Sequence, residues 1–147
     1  MWRGEAPEPS WSGEQAAASL ATRSERHKAF IENGVPPEYR NARNPYSDAE
    51  KLIPEGRALY TVHCIACHGF KGFGDGDALM DLRPTRMFLA YMIESPDLVD
   101  EYLMWTIAGG GAEFDSSMPP YKDRLTEQEI WKIVVYMRAG FPGSDVP

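Results

Sequence analysis

Cysteine is scarce in this chain of 147 residues: there are two, Cys64 and Cys67, three positions apart. That spacing excludes the spread disulfide framework of a small secreted domain. Histidine is nearly as rare, with His27, His63 and His68. No apolar run approaches the roughly 18–20 residues that a membrane span requires. An excess of positive charge is also missing. The net charge is −7 and the sequence pI about 4.9, so the electrostatic footprint of a nucleic-acid binder is absent. Behind Met1-Trp2-Arg3-Gly4-Glu5 there is no apolar stretch of the kind an export signal carries, and we expect a processed or re-engineered start. With 43% hydrophobic and 25% charged residues, the composition is that of a soluble globular protein able to bury a real core.

Two regions differ in character. Residues 1–47 form an N-terminal extension. Its tail carries Pro7 and Pro9, a helix is expected over about 13–33 behind Ser12 as cap, and Asn33-Gly34 with Pro36-Pro37 stops that helix. A Pro-rich linker, punctuated by Pro36, Pro37 and Pro45, leads to the second region. The apolar face of the extension is thin, which leaves open whether it lies over the domain or serves as a docking arm.

Residues 48–147 read as a compact all-α domain. A helix is expected from Pro54 to Cys64, with Leu59, Tyr60 and Val62 supplying apolar contacts. A glycine-rich loop follows at Gly72, Gly74 and Gly76, and a short helix after Pro84. Ser95-Pro96-Asp97 carries the marks of a helix start, and Gly109-Gly110-Gly111 those of its end. Residues 109–124 read as an irregular loop. The last helix is the clearest. Thr126 and Glu129 suit a capping box, Leu125 and Ile130 a hydrophobic staple, and Ile130, Ile133, Val134 and Met137 form a stripe of period 3.6. Gly140 and Pro142 end it. No strand pattern competes.

The chemistry is concentrated in Cys64-Ile65-Ala66-Cys67-His68. C-x-x-C-H is the attachment signature for haem c. On a helical turn, thiols at i and i+3 fall on one side and can each add to one vinyl group of the porphyrin. His68 then offers an imidazole nitrogen to the iron. Other readings of the string are weaker. Structural zinc needs about four N/S ligands from two clusters, and no second cluster exists. A thioredoxin-like redox pair belongs in a βαβ context, and none is visible.

A second axial ligand must come from elsewhere. Of seven methionines, Met87, Met92, Met104 and Met137 fall in helical patterns that account for them as packing. Met80 lies twelve residues past His68, in a loop that must still wrap the porphyrin. Met118 sits in mid-loop, after the glycine triplet and before Pro119-Pro120, far enough along the chain to reach the opposite face. It is the favoured ligand; a loop methionine capping the core is the competing reading, and His27 a more distant one. Imidazole and thioether together close the coordination sphere and favour ferrous iron. Such a centre suits the transfer of single electrons. A labile sixth ligand would instead suit a haem-based gas sensor or a peroxidase-like protein.

Residues 50–141 resemble a class I, single-haem c-type cytochrome of the bacterial periplasmic kind. The resemblance rests on Gly56-x-x-x-Tyr60, Cys64-x-x-Cys67-His68-Gly69, Gly72-x-Gly74-Asp75-Gly76, Met118-Pro119 and the pattern from Glu129 to Arg138. It implies a cytochrome c fold of three to four helices around the haem, with the first and last helices crossing at Gly56 and Tyr136 packed into the gap. It also implies that a proline carbonyl, here that of Pro84, accepts a hydrogen bond from His68, and that the mature protein works outside the cytoplasmic membrane. The long extension exceeds the family's usual short lead.

Trp105, Tyr91, Phe88, Tyr121 and Trp131 are candidate haem-wall or core aromatics, and Arg83 and Arg86 candidate propionate partners, with a solvated role favoured for the arginines. Most of the negative charge falls on residues 49–147, including Asp97, Asp100, Glu101, Glu113, Asp115 and Asp123. A redox partner with a complementary basic patch is therefore expected. The extension could support a stable complex with it.

Overall fold

The structure is a computed structural model that describes residues 25–46, 49–69, 93, 98–114 and 118–143. Its regular elements are helical, and no strand occurs among the described residues. We number them α1 (25–33), α2 (Ile53–His63), α3 (Ile65–His68), α4 (Asp100–Gly109) and α5 (Glu127–Arg138). Short 3-10 turns precede α2 and interrupt the loop after α4. No described helix is long and apolar enough to cross a membrane.

The helix α5 has the ends that its sequence dictates. Thr126 accepts a hydrogen bond from the Glu129 amide at 3.1 Å, and Glu129 accepts one from the Thr126 amide at 2.9 Å. Two otherwise orphaned donors are satisfied reciprocally. Leu125 and Ile130 are both buried beside this cap, and Gly140 closes the other end at φ +91°. Seven of its residues are buried, among them Ile130, Ile133, Val134, Tyr136 and Met137.

The main packing event is α2 against α5. The buried positions of α2 are Gly56 and Tyr60, one turn apart. A side chain at Gly56 would overlap the Lys132 carbonyl oxygen and come within 2.9 Å of the Tyr136 Cβ. Glycine is required because the two backbones touch there. Val62, read as a core contact, is instead 74% exposed. It is two residues past Tyr60, which puts it on the opposite side of a helix that turns about 100° per residue.

Helix α4 begins later than Ser95-Pro96-Asp97 implies. Those three residues lie outside the described ones, but Val99 is an extended N-cap with ψ 166°, so regular helix starts at Asp100. Two tertiary contacts hold the preceding chain out of the helix. Leu98 is buried, and its carbonyl accepts a hydrogen bond from Arg138 at 2.8 Å. The Ser-Pro-Asp signal is local, and burial of Leu98 with capture of its carbonyl outweighs it. The short helix expected after Pro84 also lies outside the described residues.

Residues 25–46 pack onto this core. Helix α1 ends where Gly34 adopts φ +72° and its amide bonds to the Phe30 carbonyl at 2.7 Å. Phe30 meets Tyr102 edge to face at 5.0 Å, and Val35 is buried. The amide of Asn44 donates to Asp100 at 2.9 Å, and Arg138 donates to the same carboxylate at 3.0 Å. Asp100 thus ties the linker, the start of α4 and the end of α5 together.

Candidate functional site

The C-x-x-C-H string occupies the break between α2 and α3. Cys64 is the C-cap of α2 and N-cap of α3, with φ −120° and ψ −28°. Its departure from helical geometry ends α2 and restarts the chain as one turn, Ile65–His68. The His68 amide bonds back to the Cys64 carbonyl at 2.9 Å and the Gly69 amide to the Ile65 carbonyl at 2.8 Å. These bonds fix the first cysteine and the histidine on one rigid turn. Gly69 leaves it at φ +83°, a region that favours glycine. The Tyr60 hydroxyl, fully buried, donates to the Gly69 carbonyl at 2.6 Å. Tyr60 in turn sits against Tyr136 and Phe141, at ring separations of 5.4 and 5.3 Å. The α2–α5 crossing and the turn that bears His68 are therefore one mechanical unit.

Met118 lies in the loop between α4 and α5, and this loop is closed at both ends. The amides of Tyr121 and Lys122 bond to the carbonyls of Ile107 and Ala108, each at 3.1 Å. They satisfy acceptors that the end of α4 would leave orphaned. Within the loop the Gly111 amide donates to the Met118 carbonyl at 3.0 Å. Gly110 has φ +71°, and a Cβ there would stand 2.6 Å from the Pro120 nitrogen and 2.9 Å from the Met118 carbonyl oxygen. The stretch 118–120 lies flush on the glycine. The Tyr121 hydroxyl reaches the other half of the site and donates to the His63 carbonyl at 3.0 Å. His63 and Tyr121 rings also meet edge to face at 5.9 Å.

Among the residues singled out from the sequence, Cys64 and Met118 are both partly buried against one hydrophobic core, together with Ile65. His68 stands on the turn next to them. Cys67 lies in the same turn, its side chain outside the described set. Pro84 is outside the described residues, as are Arg83, Arg86, Phe88 and Tyr91. His27 has its ring 6.4 Å from that of Tyr102 on α4. Met104 and Met137 are buried in the core, as their helical pattern implied. Trp131 is a core residue, whereas Trp105 packs with Tyr102, Phe114 and Arg26. No cluster of three or more His, Cys, Asp or Glu side chains suited to a bare metal ion occurs among the described residues.

The donor set fits haem c. Cysteines at the N-cap and third position of one turn suit addition to two vinyl groups, and an imidazole and a thioether are ligand types that haem iron takes in c-type electron carriers. Sequence reasoning missed Arg26 and the special position of Gly110. Arg26 donates to the Gly110 carbonyl at 2.6 Å across 84 residues of chain, and no local pattern carries such a contact.

Comparison with known proteins identifies a family. A family model described as cytochrome c oxidase, cbb3-type, subunit III matches residues 51–137. That span runs from the turn before α2 nearly to the end of α5 and includes both the C-x-x-C-H turn and the Met118 loop. No curated protein and no solved structure matches the chain significantly. With an all-helical fold, the attachment motif on its own turn and a family match over more than half its length, the chain belongs to this family of c-type cytochrome domains, and its task is haem-based electron transfer.

Proposed function

We propose that the protein is a single-electron carrier that binds one haem c through Cys64 and Cys67, with His68 and Met118 as its axial ligands. When bound, haem supplies an iron that accepts and releases one electron. The residues of the chain do the rest. The two thiols make the cofactor part of the fold. His68 and Met118 would hold the iron between them and leave no position for a substrate, and a retained ligand pair would need little rearrangement between redox states. The thioether favours the reduced iron. The Pro84 carbonyl would accept the remaining ring N–H of His68, fixing its tautomer and raising its basicity.

The observation that carries this reading is the hydrogen bond from Tyr121 to the His63 carbonyl. It brings the methionine loop back onto the helix that leads into the cysteines. The test is Met118→Ala in the haem-loaded protein. Loss of the thioether should lower the reduction potential and open the reduced iron to carbon monoxide. Unchanged potential and no carbon monoxide binding would move the sixth ligand elsewhere. Ready carbon monoxide binding by the wild type would favour the gas-sensor or peroxidase-like alternative.

Attachment of haem to C-x-x-C-H belongs, by family resemblance, outside the cytoplasmic membrane, and we place the carrier in the periplasm. Its partners are redox proteins, either diffusing or within an oxidase complex. The acidic bias of residues 49–147 suits a partner with a basic patch, with association slowing as salt is added. Docking through the extension would fall to residues 1–24 and to the outer face of α1, where Ile31 is exposed, since Arg26, Phe30 and Val35 face the chain's own core.

A further inference from the structure

Arg26 is the conspicuous side chain outside the haem motif. It is 7% exposed, a rare state for arginine. Its guanidinium sits in the corner formed by the rings of Trp105 and Phe114, which meet edge to face, at 4.5 and 4.7 Å from their centroids. One nitrogen, Nη2, donates to the Gly110 carbonyl at 2.6 Å, while Nη1 is buried without a hydrogen-bond partner among the described residues. Burial disfavours the charged form and lowers its pKa from the ordinary arginine value. An apolar side chain of similar shape would fill this space at lower desolvation cost. What only arginine adds is a rigid planar cationic fork, held against two aromatic rings, that fixes one peptide oxygen.

That oxygen belongs to the peptide on which the methionine loop rests. Gly110 is held by Arg26 through its carbonyl, while the backbone of 118–120 abuts its Cα. Gly111, the next residue, donates to the Met118 carbonyl, and its own carbonyl accepts from the Phe114 amide at 2.9 Å. Phe114 is also one of the two rings that grip the guanidinium. Arg26 therefore touches both limbs of the loop, at Gly110 and at Phe114.

We propose that Arg26, from the N-terminal extension, is a positioning residue that holds the Met118 loop in ligating geometry. The extension thereby sets how firmly the thioether stays on the iron. This rests on the assignment of Met118 as axial ligand.

The experiment compares Arg26→Leu, Arg26→Lys, Phe30→Ala and Met118→Ala in the full-length haem-loaded protein. The readouts are the charge-transfer absorption of the ferric iron–thioether bond, the pH at which it is half lost, carbon monoxide binding to the reduced form, and the denaturation midpoint. Arg26→Leu should lower the pH midpoint of the absorption by about one unit, a tenfold shift in ligand retention of the size one charge-assisted hydrogen bond supplies, and should increase carbon monoxide binding. Arg26→Lys, which keeps a donor, should restore part of both. Phe30→Ala removes the contact with Tyr102 but leaves Gly110 alone, so it should lower the denaturation midpoint without moving the absorption. If Arg26→Leu yields no folded holoprotein, Arg26→Met, longer and equally without a donor, gives the same comparison. A wild-type pH midpoint in Arg26→Leu, or an equal shift in Phe30→Ala, overturns the proposal. An absorption unaffected by Met118→Ala overturns the ligand assignment itself and the proposal with it.

Discussion

Tyr121 and His63 are joined by a 3.0 Å hydrogen bond, the phenol donating to the backbone carbonyl, across 58 residues of chain. One end stands three residues past Met118 and the other directly before Cys64. The bond joins the loop that carries Met118 to the end of the helix that leads into Cys64. It satisfies a carbonyl at the end of α2 that has no helical partner of its own.

Removing that hydroxyl strands the His63 carbonyl while leaving the aromatic ring in place. Tyr121→Phe should therefore cost about 1–2 kcal/mol. The denaturant midpoint of the holoprotein should fall with an unchanged slope. A midpoint equal to the wild type would mean that water replaces the phenol and that the bridge contributes nothing.

Gly56 sets the distance between α2 and α5. Gly56→Ala gains about 1 kcal/mol in helix propensity, but its Cβ meets the Lys132 carbonyl, which is backbone and cannot swing aside. The helices must separate, at a cost of up to about 3 kcal/mol or more for overpacking. The net effect should be destabilising by about 2 kcal/mol and should lower Tm by roughly 5–8 °C. Because Tyr60 and Tyr136 share this crossing, the loss should appear in haem-loaded protein measured by thermal denaturation. A Tm at or above the wild-type value would show that the crossing has slack.

Lys132 donates to Glu55 at 2.7 Å across the same crossing. This hydrogen bond, more than any other influence, raises the lysine pKa above its ordinary 10.5. A raised native pKa means the folded chain holds the proton more tightly than the unfolded one. The stabilisation is complete below the ordinary pKa and is lost as pH climbs through the raised one. Glu55→Gln and Lys132→Met should each flatten the alkaline end of the stability–pH curve. Curves parallel to the wild type above about pH 10 would deny the linkage.

Helix ends and motif chemistry were readable residue by residue. Thr126 with Glu129 specifies a cap because both donors and acceptors lie within one turn. Cys64 to His68 is legible as a C-x-x-C-H motif because its groups lie within one turn of chain. Errors arose where a distant residue intervened. The start of α4 was misread because Arg138 takes the Leu98 carbonyl, and Val62 was misplaced because only the position of α5 says which side of α2 is inside.

Spacing along the chain was sufficient to indicate an all-helical domain and to single out Cys64, Cys67 and His68, since helix caps and the C-x-x-C-H string depend on neighbours within four residues. Folding alone could establish that residues 25–46 pack onto that domain, that Arg26 grips Gly110, and that Tyr121 reaches back to His63. Those contacts depend on residues 84 and 58 positions apart, and a one-dimensional pattern holds no record of such distances. Here the backbone supplies the acceptors, which every residue has, and three-dimensional packing chooses among them.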